Sequence, residues 1–203
     1  MKRRELMHSM LWGALAAGLS PVPALADDGD DGPDGPRPAG SDDETFSENE
    51  VTRAAADFFG IATEAAAKAV QRTFRDQGRP DAYVKGDEGS GAFVVGLRYG
   101  SGWLIRKNHS PKKVYWRGPS VGFDIGGNAS KVFTLVYNLK RESRLYRRFP
   151  GVEGSYYFVA GIGVLYMRRG GVTIAPMRTG VGLRAGVNAQ YQEFTETRDW
   201  FPL

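Results

Sequence analysis

From Tyr83 onward the spacing of apolar residues changes from a helical period to strict alternation, and alternation confines a chain to extended structure with two distinct faces. Phe93, Val95, Leu97 and Tyr99 alternate with Gly96 and Arg98. Tyr156, Phe158, Ala160, Ile162, Val164 and Tyr166 alternate with Val159, Gly161, Gly163 and Leu165. Thr179, Val181, Leu183, Ala185, Val187 and Ala189 alternate with Gly180, Gly182 and Gly186. Residues 82–85, 113–118, 121–126, 131–138 and 172–175 add shorter segments, which makes about eight strands. Turn-like segments at 126–128 and 169–171, with no helix of crossover length between strands, predict antiparallel pairing. One face of the longest strands is lined with Gly, so a small sheet can curl and close with little room inside. The expected fold is mainly β: a small antiparallel β-barrel of about eight strands preceded by two short α-helices.

The helices precede the change of period. In Ser47-Glu48-Asn49-Glu50 a Ser is followed three residues later by Glu, a capping box that satisfies free backbone N–H groups at a helix start. Val51, Ala54, Ala55, Phe58 and Phe59 form the apolar stripe, and Gly60 ends it. Thr63 is expected to cap a second helix that runs to about residue 75, with Ala66, Ala69, Val70 and Phe74 inward and Gln77-Gly78 and Pro80 as its stop. Asp57, Glu64, Lys68 and Arg72 place both charge signs on the polar face, so Phe58-Phe59 reads as a dock onto the core rather than a membrane insert.

Residues 1–26 carry the pattern of a secretory signal: Lys2-Arg3-Arg4, the apolar stretch 11–19, then Pro21, Pro23 and the small pair Ala24 and Ala26, with cleavage expected after Ala26. The predicted localisation is therefore the periplasm. No later run is long and apolar enough for a transmembrane helix. Residues 27–44 hold eight acids and Arg37 with nothing to bury, which predicts a disordered acidic linker. The linker masks the charge of the domain behind it. The whole chain is +4, whereas residues 45–203, the helical segment plus barrel domain, carry +9. With no Cys and only His109 beyond the signal, disulfides, thiolate metal sites and a cysteine nucleophile are excluded, as are His-rich metal centres.

A series of motifs carries a family resemblance: Gly86-Asp87-Glu88-Gly89-Ser90-Gly91-Ala92-Phe93, Leu97-Arg98-Tyr99-Gly100-Ser101-Gly102, Val114-Tyr115-Trp116-Arg117-Gly118-Pro119-Ser120-Val121-Gly122-Phe123-Asp124 and Leu135-Val136-Tyr137-Asn138-Leu139. It continues through Arg148-Phe149-Pro150-Gly151-Val152-Glu153-Gly154-Ser155 and Pro176-Met177-Arg178-Thr179-Gly180-Val181-Gly182-Leu183-Arg184. In these segments, from about Phe46 to the C-terminus, the chain resembles the EipA-like family of alphaproteobacterial periplasmic proteins. The resemblance implies an eight-stranded periplasmic barrel concerned with cell-envelope integrity and envelope stress. A weaker similarity to SYLF-type lipid-binding domains rests on residues 91–96 and 120–126. Arg117 stands where the family pattern more often has Gln, and Trp200-Phe201-Pro202-Leu203 replaces a Trp-Asn-Pro-Phe ending.

Catalytic patterns are weak. Ser110-Pro111-Lys112-Lys113 matches Ser-x-x-Lys, but Pro111 and the lack of a helical period place it in a turn, away from the helix that this chemistry needs. His109, Ser110 and Asp124 make no plausible triad, because neighbouring residues rarely aim their side chains at each other. Gly161-Ile162-Gly163 and Gly180-Val181-Gly182 fall inside strands, where no phosphate loop can form. Asp87-Glu88 reads as a turn before the Gly89-Ser90-Gly91 segment. No enzymatic activity, metal or cofactor is predicted.

Charge is more informative. Between Arg98 and Arg169 fourteen Lys or Arg face Asp124, Glu142 and Glu153. If Pro119 merely bends one long strand, the clusters at 106–113 and 140–148 share a barrel end; if it makes a full turn, the first cluster joins 168–169. Either arrangement gives a basic end suited to phosphate or carboxylate groups. The candidate ligand-binding residues are Lys107, Lys112, Lys113, Arg117, Asp124 and Arg184, the last three also being candidates for structural ion pairs within strands. Expected partners are an envelope lipid or anionic polymer and an envelope protein, with nucleic acid excluded for want of a binding module. The competing readings are an outer-membrane barrel, weakened by Arg98, Lys131 and Arg184 within strands, and an envelope hydrolase.

Overall fold

The structure, a computed structural model, describes residues 44–90, 97–119, 130–179 and 191–198. The expected signal 1–26, the linker apart from Glu44, the strand at 121–126 with its turn, and most of the strands at 93–99 and 179–189 lie outside the described residues.

Helix α1 spans Glu48–Phe59. Its capping box is complete: Ser47 Oγ accepts from the Glu50 amide at 3.3 Å, and the Ser47 amide donates to Glu50 Oε2 at 2.7 Å. Gly60 ends the helix in the left-handed region at φ 67°. Helix α2, Thr63–Gln77, begins one residue earlier than a Thr63 cap requires. Ala62 is the N-cap and supplies no side-chain bond, and its carbonyl accepts from the amides of Ala65 and Ala66.

The strands are β1 (Ala82–Ser90), β2 (Leu97–Arg106), β3 (Lys112–Pro119), β4 (Ser130–Tyr137), β5 (Arg148–Pro150), β6 (Tyr157–Val159), β7 (Ile162–Val164), β8 (Met167–Arg169), β9 (Val172–Thr179) and β10 (Tyr191–Thr195), with a 3-10 turn at Glu142–Leu145. All pairings are antiparallel, and the sheet runs β5-β10-β3-β2-β1-β4-β9-β7-β6 with β8 also on β9. One isolated bridge, Gly151↔Met167, ties the chain beyond β5 to β8. The path β5 to β9 and back through β8 is therefore a circuit of eight strands, and the expected mainly β, barrel-like architecture is borne out.

The strand expected over 156–166 is broken. Ala160 at φ 51° and Gly161 at φ 86° form a two-residue turn between β6 and β7, the geometry that matches strand twist in a tight hairpin. At Leu165-Tyr166 the pairing with β9 lapses: Tyr166 carbonyl oxygen accepts from the Val152 amide, and the Tyr166 amide donates to Ser155 Oγ. The Gly170-Gly171 turn between β8 and β9 forms as expected, with φ of 52° and 74°.

Alternation then sorts the side chains. Ala82, Val84, Leu104, Val114, Val132, Val136, Ile174 and Phe194 point inward and are buried with Leu139, Leu145, Phe149, Met167 and Val172. Each large apolar side chain so buried stabilises the fold by roughly 1.5–3 kcal/mol. The opposite faces of β4, β7 and β9 meet the helices: Phe133, Leu135, Ala175 and Met177 pack against Val51, Ala55, Phe59, Ala66 and Val70. Phe58 and Phe59 lie 6.2 and 6.3 Å from the Phe133 ring, so the phenylalanine pair docks on the core as expected.

Candidate functional site

Two charged regions occupy opposite ends of the described part of the barrel. Arg106 and Val136 both lie opposite Ala82 in the ladders, and Thr173 lies opposite Tyr137, so the β2–β3 turn, the chain beyond β4 and the β8–β9 turn emerge at one end. The basic runs 106–113 and 168–169 and the run 140–148 up to Arg147 thus gather together, whereas Arg148 stands with Glu193 and Arg117. A cleft of about 320 Å³ opens there, lined by Arg106, Lys107, His109 and Lys140 together with Glu44 and Asp81.

The three predicted lysines are at this end, each with a partner. Lys107 Nζ lies 3.4 Å from Glu50. Lys112 Nζ is 2.5 Å from Glu142 Oε1 and 3.8 Å from Glu196, and the bond to Glu142 raises its pKa above the ordinary lysine value. Lys113 Nζ sits 5.2 Å from the centre of the Trp103 ring, a cation–π distance. Lys140, Arg141 and Arg169 are exposed and make no ion pair among the described residues. Arg144 donates to the Gly170 carbonyl and clips the 3-10 turn to the β8–β9 turn.

Arg117 is elsewhere. It lies on the outer face of β3, buried under Glu193 of β10, whose Oε2 accepts from Arg117 Nε at 3.0 Å and from Arg148 at 3.3 Å. Burial raises the Glu193 carboxyl, but the bonds and charges of Arg117 and Arg148 outweigh it and leave the group below its usual range. Arg117 is a structural ion-pair residue, separate from the basic cleft. Asp124 and Arg184 lie outside the described residues.

The other end contains a buried polar cluster where local sequence composition had suggested a turn. Glu88 continues β1 on the inward side, paired with Gly100 and Ser130, and is 7% exposed. Its Oε1 accepts from Arg178 Nε at 2.6 Å, while Oε2 accepts from Arg178 Nη2 at 3.3 Å and Trp116 Nε1 at 3.1 Å. Arg98 Nε lies 3.8 Å from the same carboxylate. Burial alone would raise the Glu88 pKa. The charges of Arg178 and Arg98 and the bonds from Arg178 and Trp116 outweigh it, so the carboxyl stays below its ordinary value.

The indole reaches Glu88 because Gly100 has no side chain. A Cβ there would lie 2.1 Å from the Trp116 ring. Gly86 and Gly102, directly opposed, allow an equally close approach of backbones: a Cβ on Gly102 would be 2.3 Å from the Lys85 carbonyl oxygen. Gln192, fully buried, accepts from Arg178 Nη2 at 2.8 Å and completes the described set. The signal for Glu88 was its parity with Ala82, Val84 and Gly86, which all point inward; Arg98 shares parity with Gly100, Gly102 and Leu104.

Apolar side chains and this cluster are buried inside the described barrel. Among the described residues there is no group of three or more His, Asp or Glu able to hold a metal, and no helix is long and apolar enough to cross a membrane.

The family described as envelope integrity protein A matches residues 44–203. A crystal structure described as a beta-barrel-like, uncharacterized protein from Brucella abortus shares 42% identity, covers 79% of this chain and 99% of its own, and superposes with a TM-score of 0.73. None of the curated proteins matches the chain. The order of motifs, the eight-strand circuit and these two likenesses agree, and the chain belongs to the envelope integrity protein A family.

Proposed function

We propose that this chain is a non-catalytic periplasmic barrel that supports the cell envelope by holding an anionic polymer or lipid headgroup at its basic end. The observation that carries the reading is the convergence of three separate basic runs on the end that holds the Arg106, Lys107, His109 and Lys140 cleft. Exposed cations attract phosphate and carboxylate groups over a screened range of about 8 Å at physiological salt. The buried apolar cluster inside the described barrel supports a ligand held at the rim rather than an acyl chain carried inside. Two helices cover one outer wall, and Lys85, Lys113, Arg117 and Glu193 share the outward parity of their strands, which argues against a lipid-facing barrel.

The test compares wild type with the triple variant Lys140→Gln, Arg141→Gln, Arg169→Gln for binding to anionic phospholipid vesicles and to purified anionic envelope polysaccharide. A surface cation near an anionic layer contributes about 1 kcal/mol, so the variant should bind on the order of a hundredfold more weakly at low salt. Added salt should weaken the wild type toward the same level. Undiminished binding by the variant, or no binding of either anion by the wild type, would remove the proposal.

A further inference from the structure

The helices pack on the outer faces of β4, β7 and β9, and the wall formed by β1, β2, β3 and β10 carries a different set of side chains. One outward row crosses these four strands in register: Asp87 lies opposite Ser101, Ser101 opposite Tyr115, and Tyr115 opposite Thr195. Along β2, Tyr99 and Trp103 stand two residues to either side of Ser101 on the same face. A small residue therefore sits among larger ones. A groove of about 120 Å³ opens at that place, lined by Asp87, Tyr99, Ser101, Tyr115, Thr195 and Arg198. Asp87 and Arg198 are exposed, and Trp103, beside the groove, is 47% exposed, more than any other large apolar side chain among the described residues.

The chemistry of the groove narrows its occupant. Tyr99, Tyr115 and the neighbouring Trp103 supply aromatic surface, which takes apolar C–H groups. The side chains of Asp87 and Ser101 make no hydrogen bond among the described residues, so a carboxylate and a hydroxyl face whatever enters. Arg198 holds its guanidinium 5.8 Å from the centre of the Tyr115 ring at the opposite side of the row. One acid and one cation leave the groove without net charge. An anion is repelled by Asp87, and an acyl chain makes no use of the polar groups. A sugar ring fits on each count: its C–H face suits the aromatic surface, its hydroxyls donate to Asp87 and accept from Ser101 and Arg198, and it needs no charge on the protein.

We propose that the groove over Ser101 is a binding site for an uncharged glycan, with one sugar ring seated between Asp87 and Tyr115. Tyr99 and Trp103 are four residues of strand apart, about 13 Å, so an oligosaccharide laid along β2 meets both. The site lies on the wall of the barrel and stands independently of the anion binding proposed for its basic end.

Calorimetry of the purified protein tests the assignment, with chitotetraose, an uncharged oligomer of N-acetylglucosamine, in one arm and cellotetraose, an uncharged oligomer of glucose, in the other. Saturable binding of one oligosaccharide per chain is expected in at least one arm, and the arm that responds identifies the sugar. Added salt should leave the affinity unchanged, because the ligand carries no charge to screen. Asp87→Ala should weaken binding at least about tenfold, since a charge-assisted bond is lost. Ser101→Gln fills the floor of the groove and should abolish binding. Both substitutions face outward, so their melting temperatures should stay close to that of wild type and separate lost binding from lost folding. Tyr115→Phe keeps the ring and should bind as wild type does, whereas Tyr115→Ala should not. The triple variant at the basic end should retain full binding, which distinguishes this site from that one. Absence of saturable binding in both arms, full binding by Asp87→Ala or Ser101→Gln, or binding that disappears with salt or in the triple variant would overturn the proposal.

Discussion

Glu88 shows how far a single residue can be read from its neighbours. Asp87-Glu88-Gly89-Ser90-Gly91 has turn composition, and composition suggested a turn. Its partner Arg178 is 90 residues away, so the contact that decides its conformation is tertiary and leaves no local trace. Parity with Val84 and Gly86 was the available signal. Arg117 was legible as a charge inside a strand, but its partner Glu193 lies in β10, a strand that the alternation did not mark. Removing a buried partner leaves the other charge uncompensated, and Glu88→Gln should cost about 3–5 kcal/mol near neutral pH. The folded-state pKa of Glu88 lies below its unfolded value, so its contribution is full above the unfolded pKa of about 4.3 and is lost as pH falls through the folded one. Denaturant unfolding of both proteins should show a gap at about pH 7 that narrows by about pH 3. Equal stability of the two near neutrality would mean that the pair contributes nothing to the fold.

Elements were legible where local signals decide them. The capping box starts α1, Gly60 stops it, and the helical stripes bury Val51, Ala55, Phe59, Ala66, Ala69 and Val70 as expected, with Ala54, Phe58 and Phe74 half-buried. The run at 156–166 failed because alternation persists through a two-residue turn: Ala160 and Gly161 keep the period while the chain reverses. The glycines of the strands were legible as a group, and the structure assigns them separate tasks, Gly102 facing inward and Gly89 outward. Gly102→Ala drives a Cβ into the Lys85 backbone carbonyl, which cannot give way as a flexible side chain could, and overpacking of this kind costs about 1–3 kcal/mol or more. Gly89→Ala meets nothing within 4 Å and should stay within about 0.5 kcal/mol of wild type. Chemical denaturation of the two variants distinguishes a sheet that needs this close approach from one that merely tolerates glycine.

At the scale of the molecule, the mainly β class, the two leading helices and a sheet able to curl and close followed from periodicity and the glycine-lined faces, whereas the place of closure did not, because among the described residues it rests on one bridge between residues with no pattern of their own. A ladder held by a single bridge should open before one flanked on both sides. Hydrogen exchange is expected to be faster at Val152 and Met167, beside the seam, than at Val84 and Phe133, whose strands are paired on both edges. Exchange at Met167 as slow as at Phe133 would show the circuit to be firmly shut. Between the two charged ends lies the plug of Val84, Leu104, Val136, Ile174 and their neighbours, a low-permittivity partition across the barrel. Ions in the surrounding solution reach the rim cations and blunt their field, whereas Glu88, Arg98 and Arg178 are buried and screened far less. The fold is thus an electrostatic insulator between two compartments: one tuned by the ionic strength outside, the other by whichever charges are built into its walls.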